Sequence, residues 1–266
     1  MSSIKPTKKT TLRLRVFAGP NGSGKSTIIQ AVRDYRIKRI PVDFGIYINA
    51  DDIASALLKG DLHFKVYEIK TNEKEFIEIA LKSGLINKTF SEKKFRSGFK
   101  IKNNHLLLTK ALLGEHIAQI TAHFLRVKLL ELKKKFSFET VFSHHSKLDI
   151  MSEARKAGYK VYLYFVSTES PDINKYRVQL RKDKGGHDVP PDKIESRYYR
   201  SLDLMFKAAQ LSYQCYFFDN SGEEPELFAH FKITSTGKKK WDKIKKSEVP
   251  EWFKKYYSAK VKKRNK

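Results

Sequence analysis

The sequence predicts an α/β fold: a mainly parallel, five-stranded sheet flanked by helices. Three observations carry this. β-Branched and aromatic runs alternate with helical stretches along most of the chain, the pattern of strand–helix–strand crossovers. A glycine-rich loop stands between the first such run and the first helix. The 266 residues suit one large domain carrying an insertion.

Residues 1–10 read as a loose arm, and the first strand is predicted over 12–18. Next comes Gly19-Pro20-Asn21-Gly22-Ser23-Gly24-Lys25-Ser26-Thr27, which fits the phosphate-loop pattern G-x-x-x-x-G-K-[ST] and opens a helix over 25–34. Glycines let backbone N–H groups turn inward around an anion, and the helix N-terminus adds further donors. All of Gly19 to Thr27 is therefore a candidate nucleotide cradle. Lys25 would reach the β- and γ-phosphates, and the Ser26 hydroxyl would ligate Mg²⁺.

The second strand is predicted over 45–49, ending at Ala50-Asp51-Asp52, with a short helix over 52–58 that Asp51 or Asp52 would cap. An inserted subdomain is expected over 63–105. In it Asn72 caps a helix at 76–83 that stops at Gly84, and extended pieces follow near 95–101 and 105–108. A long amphipathic helix is expected over 106–134, with Leu113, Ile117, Ile120, Phe124, Val127 and Leu130 at three-to-four spacing. The third strand is 136–140. A helix at 149–157 closes at Gly158 before the fourth strand, 160–166. Pro171 and Pro191 open two more helices, reaching 181 and 211. The fifth strand, 214–218, ends at Asp219-Asn220-Ser221. The expected division is a core over 11–222, a lid over 168–200 and a basic C-terminal extension over 223–266.

The formal charge is +25 and the pI about 9.9. Residues 238–266 carry thirteen Lys or Arg against three acids. Such a surface attracts polyanions, nucleic acid among them, yet no nucleic-acid-binding motif accompanies the charge. Cys215 is the lone cysteine, so no internal disulfide can form. No signal-peptide pattern and no run of roughly 18 apolar residues is present. The expectation is a cytoplasmic protein with no membrane partner.

In a parallel sheet of this kind, ligands sit at the carboxyl ends of the strands. Asp51 and Glu139 end neighbouring strands there. A kinase needs one acid to orient or deprotonate an acceptor hydroxyl and carboxylates to hold Mg²⁺ waters. The segment 173–200 offers Arg177, Arg181, Arg197 and Arg200, whose planar forks suit phosphate oxygens; a bend at 182–190, with His187, would let it close as a lid. Asp219 and Asn220 fall where a nucleotide base would lie. His144 and His145 lack partners at metal-ligand spacing. Neither an LSGGQ-type signature nor an NKxD-type motif is present, which argues against a transporter ATPase and a GTPase.

The phosphate loop, Ile48-Asn49-Ala50-Asp51-Asp52-Ile53-Ala54, Phe136-Ser137-Phe138-Glu139-Thr140, Gly185-Gly186-His187-Asp188-Val189-Pro190, Arg197-Tyr198-Tyr199-Arg200-Ser201-Leu202 and Asp219-Asn220-Ser221 together resemble the zeta toxin-like P-loop kinases. The resemblance covers most of 12–221 outside 63–105. It implies an ATP- or GTP-dependent phosphotransferase using Mg²⁺, with a hydroxyl of a UDP-linked amino sugar as acceptor, and it allows a protein antitoxin as partner. By motif, Lys25 would bind phosphate, Ser26 would hold Mg²⁺, Asp51 would be the general base and Glu139 the acid near substrate and metal. Arg181, with Arg177 or Arg197, would supply the lid's transition-state cations. The family places a threonine and an arginine shortly after that acid. Here Thr140-Val141-Phe142-Ser143-His144 follows with no arginine, so the acceptor pocket differs. A polynucleotide or nucleoside kinase and a non-catalytic, nucleotide-dependent interaction module are the alternative readings.

Overall fold

The computed structural model describes residues 11–60, 62–185, 189–242 and 249–264. Its first elements are β1 (Arg13–Ala18), α1 (Lys25–Asp34), a hairpin of β2 (Arg36–Ile37) and β3 (Ile40–Pro41), β4 (Ile46–Ile48) and α2 (Ala50–Leu58). The inserted region forms β5 (Leu62–His63), α3 (Glu73–Leu81), α4 (Glu92–Arg96), β6 (Phe99–Lys102) and β7 (His105–Leu108). Then come α5 (Gly114–Glu131), β8 (Phe136–Thr140), α6 (Ser146–Lys156), β9 (Lys160–Ser167), α7 (Pro171–Asp183), α8 (Pro191–Leu211) and β10 (Gln214–Asp219). β11 (Glu226–Ile233), β12 (Lys239–Trp241) and a helix running through α9 (Glu251–Phe253), a π turn at Lys254–Ser258 and α10 (Ala259–Arg264) complete the fold.

The main sheet has the order β12-β11-β10-β9-β1-β8-β4. The five expected strands, β4, β8, β1, β9 and β10, are all present and parallel. Two more are added by the C-terminal extension: β11 runs antiparallel to β10, and β12 antiparallel to β11. Basic composition hides this packing. Between the lysines stand Trp241, Phe253 and Tyr257, whose rings meet Phe217 of β10 at centroid distances of 6.2, 4.9 and 5.3 Å, and Trp252, which packs on Phe165 and Phe228 at 6.1 and 5.5 Å. A lysine ammonium lies over such a ring as well: Lys239 Nζ sits 4.5 Å from the Phe231 ring centre and donates to Tyr257 OH at 3.3 Å.

The expected helix over 106–134 is shorter than its periodicity suggested. His105–Leu108 pairs antiparallel with both β5 and β6, and the helix starts only at Gly114. Cross-strand hydrogen bonds claim the backbone that the apolar spacing alone would have left helical. Near 95 the expected extended piece is instead the short helix α4, capped by the Ser91 side chain, before β6 begins. Phe64, Phe76, Phe95 and Phe99 from this region pack with Phe124 of α5, so the inserted sheet and the long helix share one apolar cluster.

Candidate active site

The phosphate loop turns from β1 into α1 with Gly22 at φ 74° and Gly24 at φ 90°. A Cβ on Gly24 would stand 2.1 Å from Asn220 Nδ2, so only glycine lets the loop approach β10's end this closely. That approach is used: Asn220 Nδ2 donates to the Ser23 carbonyl at 2.9 Å. Behind the loop, the Asn174 amide donates to the Asn21 carbonyl, the Thr168 hydroxyl donates to Asn174 Oδ1, and Tyr198 donates to the Thr168 carbonyl at 2.6 Å. Asn174 and Thr168 are fully buried, so each bond holds a polar group that water cannot reach. The cradle is thereby anchored from α7, α8 and β10 at once.

Lys25 is 8% exposed. Its Nζ donates to the Pro20 carbonyl at 2.9 Å and lies 3.9 Å from Glu139 Oε1. Burial pushes its pKa down; the Glu139 and Asp51 carboxylates oppose that, and Arg181 adds to it. Glu139, on β8, is oriented by two donors, one on β4 and one just after it: Tyr47 OH and Asn49 Nδ2 each reach Oε2 at 3.2 Å, leaving Oε1 toward Lys25. Burial and the Glu139 charge raise the Tyr47 phenol above its ordinary pKa, so it stays a donor.

Asp51 was expected to share a capping role with Asp52. The structure gives that role to Asn49, whose Oδ1 accepts from the Asp51 N–H at 2.8 Å, with α2 starting at Ala50. Asn49 thus both caps α2 and points a donor at Glu139, while the Asp51 carboxylate is exposed in the first helical turn. Residue type alone marks Asn49 as a good cap, but nothing in sequence spacing tied it to Glu139.

A cavity of about 460 Å³ opens over the loop. Of the residues expected at the site it is lined by Gly22, Gly24, Lys25, Ser26, Thr27, Glu139, Arg177, Arg181 and Asn220. Gly19, Pro20, Asn21 and Ser23 form the loop behind it. Arg177 is committed to the loop after β10, donating to the Asn220 carbonyl at 2.7 Å and the Gly222 carbonyl at 2.8 Å. Arg197 lies outside the lining, with Nη1 3.5 Å from Asn21 Oδ1, and Arg200 turns back onto Ser196 of its own helix. Asp51 is absent from the lining too, and so is Asp219. Its Oδ1 accepts from Trp252 Nε1 at 2.7 Å, so this carboxylate ties down the C-terminal helix. Glu223, Glu224 and Pro225 line the cavity and carried no motif signal. Gly186, His187 and Asp188 of the expected lid bend lie outside the described residues.

The donor set fits a bound nucleoside triphosphate with its metal. Ser23 Oγ is buried without a hydrogen-bond partner inside the loop, and the Ser26 hydroxyl lines the cavity beside Glu139. Among the described residues no cluster of three His, Cys, Asp or Glu side chains forms a protein-only metal cage. No helix among the described residues is long and apolar enough to cross a membrane.

No protein-family model and no curated protein matches the chain. Solved structures do. An AvrRxo1-ORF1:AvrRxo1-ORF2 complex with sulphate ions matches at TM-score 0.52 and 14% identity, over 93% of this chain and 64% of that one. The native form of that complex matches at TM-score 0.50 and 15% identity, over 92% and 63%. The PezAT chromosomal toxin-antitoxin system of Streptococcus pneumoniae matches at TM-score 0.46 and 14% identity, over 81% and 70%. The chain thus spans less than two thirds of the AvrRxo1-ORF1:AvrRxo1-ORF2 chain it matches. The shared property is the fold, here a helix-flanked, mainly parallel sheet.

Proposed function

We propose that this protein is a P-loop phosphotransferase that moves the γ-phosphoryl group of ATP to a hydroxyl of a small acceptor. One observation carries the reading: Lys25 is buried between the Pro20 carbonyl and Glu139 in a cavity also lined by Ser26, Thr27 and Arg181. A structural lysine would not be placed at a helix N-terminus among inward-turned glycines. In this reading Asp51 accepts the proton of the acceptor hydroxyl while that oxygen forms its bond to phosphorus and the bond to the β–γ bridging oxygen breaks. Lys25 and Arg181 lie against the phosphates and offset charge on the departing diphosphate. Glu139 and Ser26 hold the magnesium side of the cavity. Magnesium, when bound, neutralises phosphate charge.

The acceptor class first to be tried is a UDP-linked amino sugar, and an antitoxin-like protein partner belongs to the same reading, as does a cytoplasmic setting where ATP is abundant. The AvrRxo1-ORF1:AvrRxo1-ORF2 neighbour is itself a two-component complex, which supports a search for a partner. The test is ATP turnover with Mg²⁺, with and without UDP-N-acetylglucosamine, for wild type and Asp51→Asn. A phosphorylated sugar nucleotide that the variant fails to make supports the reading. Unchanged turnover in Lys25→Ala would overturn it.

A further inference from the structure

On the sheet face opposite Glu139, a second group of cations lies between α5, β8 and α6. Arg126 of α5 is 4% exposed. Its described contact is with the face of the Phe138 ring, 5.1 Å from guanidinium carbon to centroid, and among the described residues it has no hydrogen bond and no carboxylate partner. Lys147, in the first turn of α6, makes a single hydrogen bond, at 3.3 Å to the Ser146 hydroxyl. His123 stands one turn from Arg126 on α5, and His144 lies in the loop leading into α6 with Nδ1 occupied by Ser146.

These cations repel one another. Burial, then Arg126, pushes the Lys147 ammonium down to about 7, and burial, then Arg126 and Lys147, pushes His123 down to about 4. Elsewhere the chain pairs its half-buried cations: Lys128 meets Glu75 at 2.6 Å and Glu131 at 2.9 Å. A largely buried guanidinium with no carboxylate beside it among the described residues is costly to hold, and an anion from outside would offset that cost. Asp149, the acid nearest in sequence, is exposed and forms no ion pair with either cation.

We propose that Arg126, largely buried, and Lys147, half-buried, form an oxyanion site that takes a phosphoryl group and, resting on the phosphotransferase reading, that this group belongs to the acceptor. A planar guanidinium and an ammonium with free donors are the pair that phosphate oxygens satisfy. Position suits the role. Phe138, beneath Arg126, and Glu139, beside Lys25, are consecutive residues of β8 with side chains on opposite faces. An acceptor lying over the carboxyl end of β8 would have its phosphoryl group held on one face and its hydroxyl presented on the other. His144 is exposed, its pKa lowered by burial, then by Lys147 and His145, with a smaller push from Arg200 of α8.

The test separates this site from the phosphate loop by working in Lys25→Met protein. Thermal melting is followed against orthophosphate and against a phosphate monoester, uridine 5′-monophosphate. The expected result is a rise of about 5 °C or more at a hundredfold excess over the dissociation constant. Adding Arg126→Met, or independently Lys147→Met, should abolish that rise without lowering the ligand-free melting temperature, because an apolar isostere removes an uncompensated buried charge. An equal rise with and without either second substitution, or no rise in Lys25→Met, overturns the site. A larger shift with the monoester than with orthophosphate assigns the site to the acceptor. An equal or larger shift with orthophosphate overturns that half and leaves a free-phosphate site. Absence of ATP turnover in wild type would sink the phosphotransferase reading while leaving these melting shifts as they are.

Discussion

Lys25 and Arg126 are both buried cations beside β8, on opposite faces of the same strand, and their surroundings differ in kind. Lys25 sits in a prepared field. A carbonyl accepts from it, Glu139 and Asp51 stand near, and two donors fix Glu139 in place. Arg126 has a phenyl ring beneath it and, among the described residues, no acid beside it. Low exposure is common to both, so burial alone does not distinguish a site that is electrically complete from one that waits for an anion. The partner list does. A cation balanced within the protein can be held at rest and exchange partners when a phosphate arrives. An unbalanced one destabilises the free protein and binds its anion all the more tightly.

Breaking the first side of this comparison should have the largest effect. Lys25→Ala is expected to lower ATP turnover by about 10³-fold, as loss of a charge-stabilising donor does, measured by single-turnover phosphate release. Asp51→Asn should cost roughly 10²-fold in kcat with little change in KM for ATP. The loss sits at the low end for a general base because the exposed carboxylate shares its place with water. A kcat within twofold of wild type would remove Asp51 from the mechanism.

Gly24→Ala tests the geometry of the cradle. The added methyl meets Asn220 and the φ of 90° is unfavourable for alanine, so stability should drop by about 1–3 kcal/mol in urea unfolding, and nucleotide binding should weaken with it. A variant that melted and bound ATP normally would show that the loop relaxes away from β10.

The smallest effect sharpens the second side. Lys147 titrates near 7 in the folded protein and near its ordinary 10.5 when unfolded. Below pH 7 both states hold the proton. Between about 7 and 10.5 the unfolded chain holds more, so raising pH through that window stabilises the fold. Relief of the overall positive charge acts in the same direction. The informative quantity is therefore the difference from Lys147→Met, whose melting temperature should rise less steeply with pH. His123, Arg126, His144 and Arg200 face the same space and stay unchanged in that pair. Parallel curves for the two proteins would mean that Lys147 is solvated and ordinary.

Much of the phosphate-loop side was legible in advance because its signals are local. The phosphate loop is nine consecutive residues whose types follow from the space that backbone around an anion needs. Asp51 and Glu139 were found by asking which polar residues end strands. The second cationic group was not legible. Arg126 is one of many cations on a helix whose apolar spacing only marks one face, and nothing in the chain says that Lys147, twenty-one positions on, turns inward toward it. The capping of α2 by Asn49 and the diversion of Asp219 to Trp252 escaped for the same reason: a side chain with several acceptable partners takes the one that folding brings near.

The sequence by itself determined the strand–helix alternation, the phosphate loop and the placing of two acids at strand ends, because period, turn chemistry and propensity act over a few residues. Only the tertiary structure decided which arginines line the cavity, that Trp252 and Tyr257 of a lysine-rich extension complete the sheet's core, and that Arg126 is buried with no acid beside it among the described residues. Each of these depends on long-range packing, where the free energy of a side chain is set by neighbours dozens of residues away rather than by its own place in the chain.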